Sequence, residues 1–242
     1  SALVEPIAGQ VFRASAGTSF RNPTLMEAYL DFTQQFPNPD PSLAAAGVTT
    51  IESNLRGNPG LDPERILFED VSHAGRFGRL RTSLTGFHYE LLDSVGTTEP
   101  AGGVVAGTAY RTVNTYANTE RIEAWGGEVE AEAMLSLFTV AFANVSYERL
   151  RSERGYWDRE SPPWKANAGV RWMPKGLTLA CWGNWVDGMA WNAAQPRDPR
   201  RYLRQPSYLL LNAAATWTLP GALRRWDLGV TAHNLLDDRH AE

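Results

Sequence analysis

Seven residues between positions 185 and 204 are of the types that hold a flat anion: Trp185, Trp191, Arg197, Arg200, Arg201, Tyr202 and Arg204. A guanidinium fork donates two parallel hydrogen bonds to a carboxylate-like group, and aromatic rings stack on planar ligands. The same arginines could instead face water or the phosphates of a lipid surface. Gln34, Gln35 and Phe36, in an earlier irregular stretch, are weaker contact residues. Glu128, Glu130 and Glu132 alternate along one strand face and could imitate paired catalytic carboxylates. A solvated strand face is the preferred reading of them. The four histidines, His73, His88, His233 and His240, are scattered. No HExxH, GxSxG or phosphate-cradling loop occurs. The expectation is no catalytic residue, no metal site, no cofactor and no enzyme activity.

Composition narrows the class. The chain has 242 residues, a formal net charge of −4 and a pI near 5.7. That balance argues against nucleic acid as a partner. The single cysteine, Cys181, leaves no internal disulfide framework and no thiolate zinc site. No apolar run approaches the roughly 18 residues of a membrane helix. Membrane barrels are untouched by that test, because their strands alternate. Nine Trp, eight Tyr and nine Phe are a heavy aromatic load for a mean hydropathy of −0.34. Aromatics suit any pleated core, and they also form the girdles of membrane barrels.

The elements that would position these residues are strands. Period-two alternation marks 11–17, 64–74, 80–92, 111–135, 137–149, 164–173, 177–187, 208–219 and 226–235. That makes about nine long strands, most longer than the five or six residues usual in soluble sheets. A kink is expected at Gly126-Gly127, and a turn or two of helix over 24–29. Thr139, Ala141, Ala143, Val145 and Tyr147 share one face, while Asn144, Ser146 and Glu148 share the other. Leu209, Leu211, Ala213, Ala215 and Trp217 form a second apolar row. Trp172, Trp182, Trp217 and Trp226 fall near strand ends, as a girdle requires. Tight connections at 75–78, 135–136, 173–176 and 220–222 alternate with long ones at 30–58, 93–110, 151–163 and 188–206. An up-and-down meander sorted in this way has all its short turns at one end. The predicted fold is all-β, a segment of an antiparallel up-and-down transmembrane barrel.

Several motifs then carry a resemblance. Residues 11–29, VFRASAGTSFRNPTLMEAY, resemble a signature of TonB-dependent outer-membrane receptors, with Arg21, Asn22, Pro23 and Glu27 at its marked positions. Residues 57–64, GNPGLDPE, resemble the element that opens that family's next strand, through Asn58, Pro59, Leu61, Pro63 and Glu64. YANTE at 116–120 with GEVE at 127–130, SPPWK at 161–165 and HNLLDDR at 233–239 are similar to further family motifs in the same order. The last of these supplies Asn234, Leu235 and Asp237. The prolines restrict how the chain enters the sheet, which matters because a one-residue slip inverts both faces. An Arg21–Glu27 or Arg21–Glu64 ion pair is expected at that point.

The resemblance implies a location in the bacterial outer membrane, contact with its lipid, and TonB-coupled import of a scarce small ligand such as a ferric siderophore. Three positions depart from the family: His240 stands where Tyr is usual, Glu69-Asp70-Val71 replaces the usual strand opening, and the sequence stops at Ala241-Glu242. Plugged barrels of this kind have about 22 strands. Residues 1–242 are therefore expected to be the C-terminal portion of a receptor barrel, with TonB engaged through a plug domain absent from this sequence. The rival readings are a small stand-alone outer-membrane pore or adhesin, and a soluble β-sandwich that binds carbohydrate.

Overall fold

The computed structural model describes residues 1–98, 101–153, 161–192, 202–221 and 226–239. Ten strands follow one another across a single sheet: β1 (Ala2–Ile7), β2 (Gln10–Arg21), β5 (Glu64–Phe77), β6 (Leu80–Thr97), β8 (Ala109–Met134), β9 (Thr139–Ser152), β10 (Trp164–Trp172), β11 (Leu177–Val186), β14 (Tyr208–Thr218) and β15 (Asp227–Ala232). Each pairs antiparallel with its neighbours. The nine strands read from the sequence are all present, and β1 is an addition. Among the described residues, β1 and β15 each pair on one side only.

The sorted connections are as expected. Two residues, Gly78 and Arg79, join β5 to β6, and Gly78 adopts the positive φ of +62° that so tight a reversal needs. All the long connections leave from the opposite end. Three of the four hold regular elements that the sequence did not suggest. The first holds α1 (Leu25–Tyr29), β3 (Asp31–Pro37), α2 (Pro41–Ala45) and β4 (Thr50–Arg56), with β4 running parallel to the start of β8. The second holds β7 (Ala101–Ala106). The fourth holds a hairpin of β12 (Met189–Asn192) and β13 (Tyr202–Gln205).

The sheet has one layer and almost no core. Among the described residues, Val48 and Ala124 are the only buried apolar side chains. One face carries Val129, Ala131, Ala143, Val145, Ala166, Ala168 and Leu209 in lateral register. Its large side chains are open: Val129 is 46% exposed, Val170 40% and Val230 68%. A soluble sandwich would bury such a face against a second sheet. Among the described residues no second layer covers it, so the face is built to meet lipid.

The other face is polar. Glu130, Asn144, Asn167 and Asn184 are laterally aligned across β8 to β11. The amides form a one-way ladder. Asn167 Nδ2 donates to Asn144 Oδ1 at 2.7 Å, Asn184 Nδ2 donates to Asn167 Oδ1, and Asn212 Nδ2 donates to Asn184 Oδ1 at 2.9 Å. The backbone N–H of Asn234 and the Nδ1 of His233 close the run on Asn212 Oδ1, at 3.2 and 3.3 Å. A one-residue slip would break every rung, so the ladder fixes register.

Two expectations change. Trp182 pairs with Gly169 and Asn212, which puts it on the polar face, while Trp172 and Trp217 do lie on the apolar one. Gly169 makes room for Trp182, since a Cβ there would meet Phe142 at 2.6 Å and Trp182 at 2.7 Å. The ladder also runs unbroken through Gly126-Gly127. The irregularity lies instead at 91–95 of β6, where Asp93 takes a φ of +58°.

Ala143 and Asn144 are adjacent residues on opposite faces. Ala143→Arg should cost about 2–4 kcal/mol of folding free energy in a bilayer, and Asn144→Arg well under that. Folding titrations into lipid vesicles, read by the mobility of unboiled samples, compare the two. Equal losses would overturn the face assignment.

Candidate functional site

At the loop end of β2 and β5 the family-like residues converge. Thr24 caps α1: its Oγ1 accepts the Glu27 N–H at 3.2 Å, and Glu27 Oε2 accepts the Thr24 N–H at 2.7 Å. This reciprocal box satisfies two amides that a five-residue helix would otherwise leave open. The same carboxylate receives a fork from Arg21, whose Nη1 and Nη2 both lie 3.0 Å from it. The third guanidinium nitrogen, Nε, donates to Glu64 Oε2 at 2.5 Å. Glu64 Oε1 accepts the Val95 N–H at 2.7 Å. Both expected ion pairs are therefore present at once. Arg21 ties β2 to α1, β5 and β6.

The glycine-proline stretch docks onto this cluster. Gly57 N–H donates to Leu30 O at 2.6 Å and Asn58 N–H to Glu27 O at 2.8 Å. A side chain at Gly57 would run into the backbone of Ala28 and Tyr29. Asn58 Oδ1 accepts the Gly60 N–H at 2.9 Å, which makes the turn through Pro59, and Leu61 N–H returns to Asn58 O. Pro23 stands just before the helix cap and Pro63 just before β5. Asn118 was not singled out as a site, yet its amide joins three backbone groups: Asp62 N–H at 3.0 Å, Asp62 O at 3.0 Å and Asp93 O at 2.7 Å. Its place within YANTE at 116–120 was the available signal.

Asn234, Leu235 and Asp237 lie on the far side of the sheet, after β15. Asn234 and Asp237 hold φ of +50° and +49°. Asn234 bonds both the N–H and the O of Asp238 at 3.0 Å, and Leu235 N–H reaches Leu211 O at 2.8 Å. This motif is a strand terminator, separate from the Arg21 cluster.

The proposed ligand residues divide. Trp185 pairs with Ala166 and Leu209 on the apolar face. Arg204 is opposite Ala190 in the β12–β13 hairpin, with Trp191 opposite Leu203 and Tyr202 opposite Asn192. Arg197, Arg200 and Arg201 fall outside the described residues. Gln34, Gln35 and Phe36 lie on β3, where Gln35 Nε2 donates to Glu52 at 2.6 Å. A cavity of about 710 Å³ opens between the loop ends of β9 and β10 and the β12–β13 hairpin, and Arg204 lines it. Trp185 is not among the residues that line it. Gln205, also in its wall, carried no signal in the sequence. Among the described residues, no group of His, Cys, Asp and Glu is placed to hold a metal ion.

The Arg21 fork and the Thr24 amide hold the Glu27 carboxyl at about 2, below its ordinary 4.5. A lowered carboxylate pKa stabilises the fold above the ordinary value, and that contribution disappears as pH falls through the lowered one. Glu27→Gln keeps a side chain that can cap but removes the charge. It should cost about 1 kcal/mol between pH 5 and 7, since Arg21 is partly open to water. The gap from wild type should close between about pH 4.5 and 2. Urea midpoints of the detergent-solubilised protein across pH check this. A gap independent of pH would overturn the charged role.

The barrel model described as "TonB dependent receptor-like, beta-barrel" matches residues 1–235. No curated protein sequence matches this chain. Among solved structures, it is similar to a variant of the ferric enterobactin receptor PfeA of Pseudomonas aeruginosa in complex with enterobactin, with a TM-score of 0.77, 16% identity, and coverage of 98% of this chain and 34% of that one. It is also similar to P. aeruginosa FpvA bound to heterologous pyoverdines, with a TM-score of 0.66, 15% identity, and coverage of 98% and 28%. A third similar structure is the ferripyoverdine receptor of the P. aeruginosa outer membrane, with a TM-score of 0.63, 16% identity, and coverage of 96% and 28%. The chain thus spans about a third of the length of the receptors it matches. With a lipid-ready antiparallel wall, long loops sorted to one end and a family model over nearly its whole length, the chain belongs to the TonB-dependent receptor β-barrel family of bacterial outer-membrane proteins.

Proposed function

We propose that residues 1–242 form the C-terminal portion of the barrel of an outer-membrane receptor that binds and imports a ferric siderophore. The observation that carries this reading is the sorting of every long connection to one end of a family-matched barrel wall. The solved relatives are receptors of ferric enterobactin and ferripyoverdine, and they support the choice of ligand class. The two strand edges that pair on one side only support a larger barrel, because lipid cannot satisfy open backbone groups. Binding, not turnover, is the role assigned to the loops. Lipid surrounds the apolar face, and TonB supplies energy through a plug domain outside this sequence.

Trp185, Trp191, Arg197, Arg200, Arg201, Tyr202 and Arg204 remain the proposed contact set for an anionic chelate. Arg204 has the strongest support, because it already lines a cavity at the loop end. Trp185 has the weakest, given its place on the apolar face.

Radio-iron uptake by source cells tests the assignment, with ferric enterobactin and ferripyoverdine as probes. Deleting the gene should abolish uptake of at least one probe under iron limitation. Joint replacement of Arg197, Arg200, Arg201 and Arg204 by Ala should weaken binding by about tenfold or more, as expected for loss of charge-assisted hydrogen bonds. Unchanged uptake of both probes in the deletion strain would sink the siderophore reading.

A further inference from the structure

The first long connection ends its sheet on an open edge. β3 pairs with β4 on one side, and among the described residues no strand pairs with its other side. All seven of its residues, DFTQQFP, are exposed, with Phe32 at 54% and Phe36 at 39%. Proteins usually blunt such an edge with a lysine, a central proline, a bulge or a cover. Residues 32–36 carry no charge, glycine or proline, and the β3–β4 register is regular from Asp31 to Pro37. An open, flat, neutral strand is a template for another strand.

The sequence of that edge matches itself. An antiparallel pair centred on Gln34 sets Phe32 opposite Phe36, Thr33 opposite Gln35 and Asp31 opposite Pro37, so no like charges face each other. The hydrogen bonds already made on β3 leave complementary groups for that register. Gln35 Nε2 donates to Glu52 Oε1 at 2.6 Å, and its own Oε1 remains an acceptor. Thr33 Oγ1 accepts from Asn54 Nδ2 at 2.8 Å, and its O–H remains a donor. A Thr33–Gln35 hydrogen bond can therefore form twice across a two-fold axis. On the opposite face, Phe32 and Phe36 lie beside Leu55 and Ile51. Two aromatic pairs would there flank Gln34 against its own copy. A strand of unrelated sequence has no reason to match donors, acceptors and rings at once.

We propose that β3 is a self-association edge, which pairs antiparallel with β3 of a second copy of this chain about a two-fold axis at Gln34. The topology decides where that copy stands. β4 runs parallel to the start of β8, which descends from the loop end, so β3 points away from the membrane. An antiparallel partner points back toward it. The second copy is therefore inverted and belongs to a facing membrane. One seven-residue strand pair buries less than the roughly 1,000 Å² of a stable interface. A single contact is weak, and many copies across two apposed membranes act together. The contact is independent of which ligand the receptor imports.

The test uses the whole receptor, extracted from source-cell outer membranes and reconstituted in lipid vesicles with its loops outward. Clustering of vesicles is read by light scattering and by energy transfer between two labelled populations. Wild-type vesicles should cluster, and vesicles without receptor should not. Gln34→Lys and Gln34→Glu each place like charges on the axis. Each should reduce clustering by about tenfold or more at low salt, since many contacts amplify each loss. Mixing the two variants should restore it, because opposite charges then meet. That rescue separates pairing at Gln34 from damage to the loop, and the mobility of unboiled samples checks that both variants fold. Wild-type vesicles that fail to cluster, or single variants that cluster as wild type does, overturn the proposal. A mixture no better than either variant alone overturns pairing about Gln34. Clustering that needs a second protein assigns the edge to that protein and overturns self-pairing.

Discussion

Everything in this chain depends on one constraint: a single-layer sheet with lipid on one side must pair its backbone groups within the sheet. Water is absent from that side, and among the described residues no second layer shares the load. The antiparallel ladder from β1 to β15 meets the requirement between neighbouring strands. The period of two then decides the side chains. Ala143 and Asn144 differ by one position and face different media. A register error is therefore not a local fault but an exchange of the two solvents along a whole strand.

Register is held by two devices at different heights. In mid-sheet, the amide run from Asn144 to Asn212 spans four strands with hydrogen bonds that all point the same way. At the loop end, Arg21 uses all three guanidinium nitrogens on Glu27 and Glu64. Asn118 bonds the chain on both sides of the same junction. Long loops leave from this end, so the strands need fixed starting points there. Gly57 shows how tight the junction is, since only hydrogen fits against the backbone of 28–29.

The residues that make the family recognisable are thus mostly those that set the frame. Arg21, Glu27, Asn58 and Glu64 bond to one another or to nearby backbone, and Asn234 shapes the end of β15. The loop-end cavity lies elsewhere, between the loop end of β9–β10 and the β12–β13 hairpin, and none of these frame residues lines it. The division is physical. A frame must be over-determined by hydrogen bonds, whereas a pocket must keep some groups unsatisfied until a ligand arrives.

The amino-acid sequence by itself determined the strands, their two faces and the sorting of the turns, because a period of two and clusters of Gly and Pro are local features. It also pointed to the partners of Arg21, since Glu27 and Glu64 stood in the two motifs flanking the first long loop. Tertiary structure alone decided that both partners bind at once, that Trp182 belongs with Asn212 and Gly169, and that Trp185 and Arg204 occupy different places. It alone placed Gln205 beside Arg204 in the wall of the loop-end cavity. Those outcomes rest on lateral register between strands distant in sequence, and on which hairpin folds against which loop. No local pattern encodes that register; it emerges only when the whole sheet is paired.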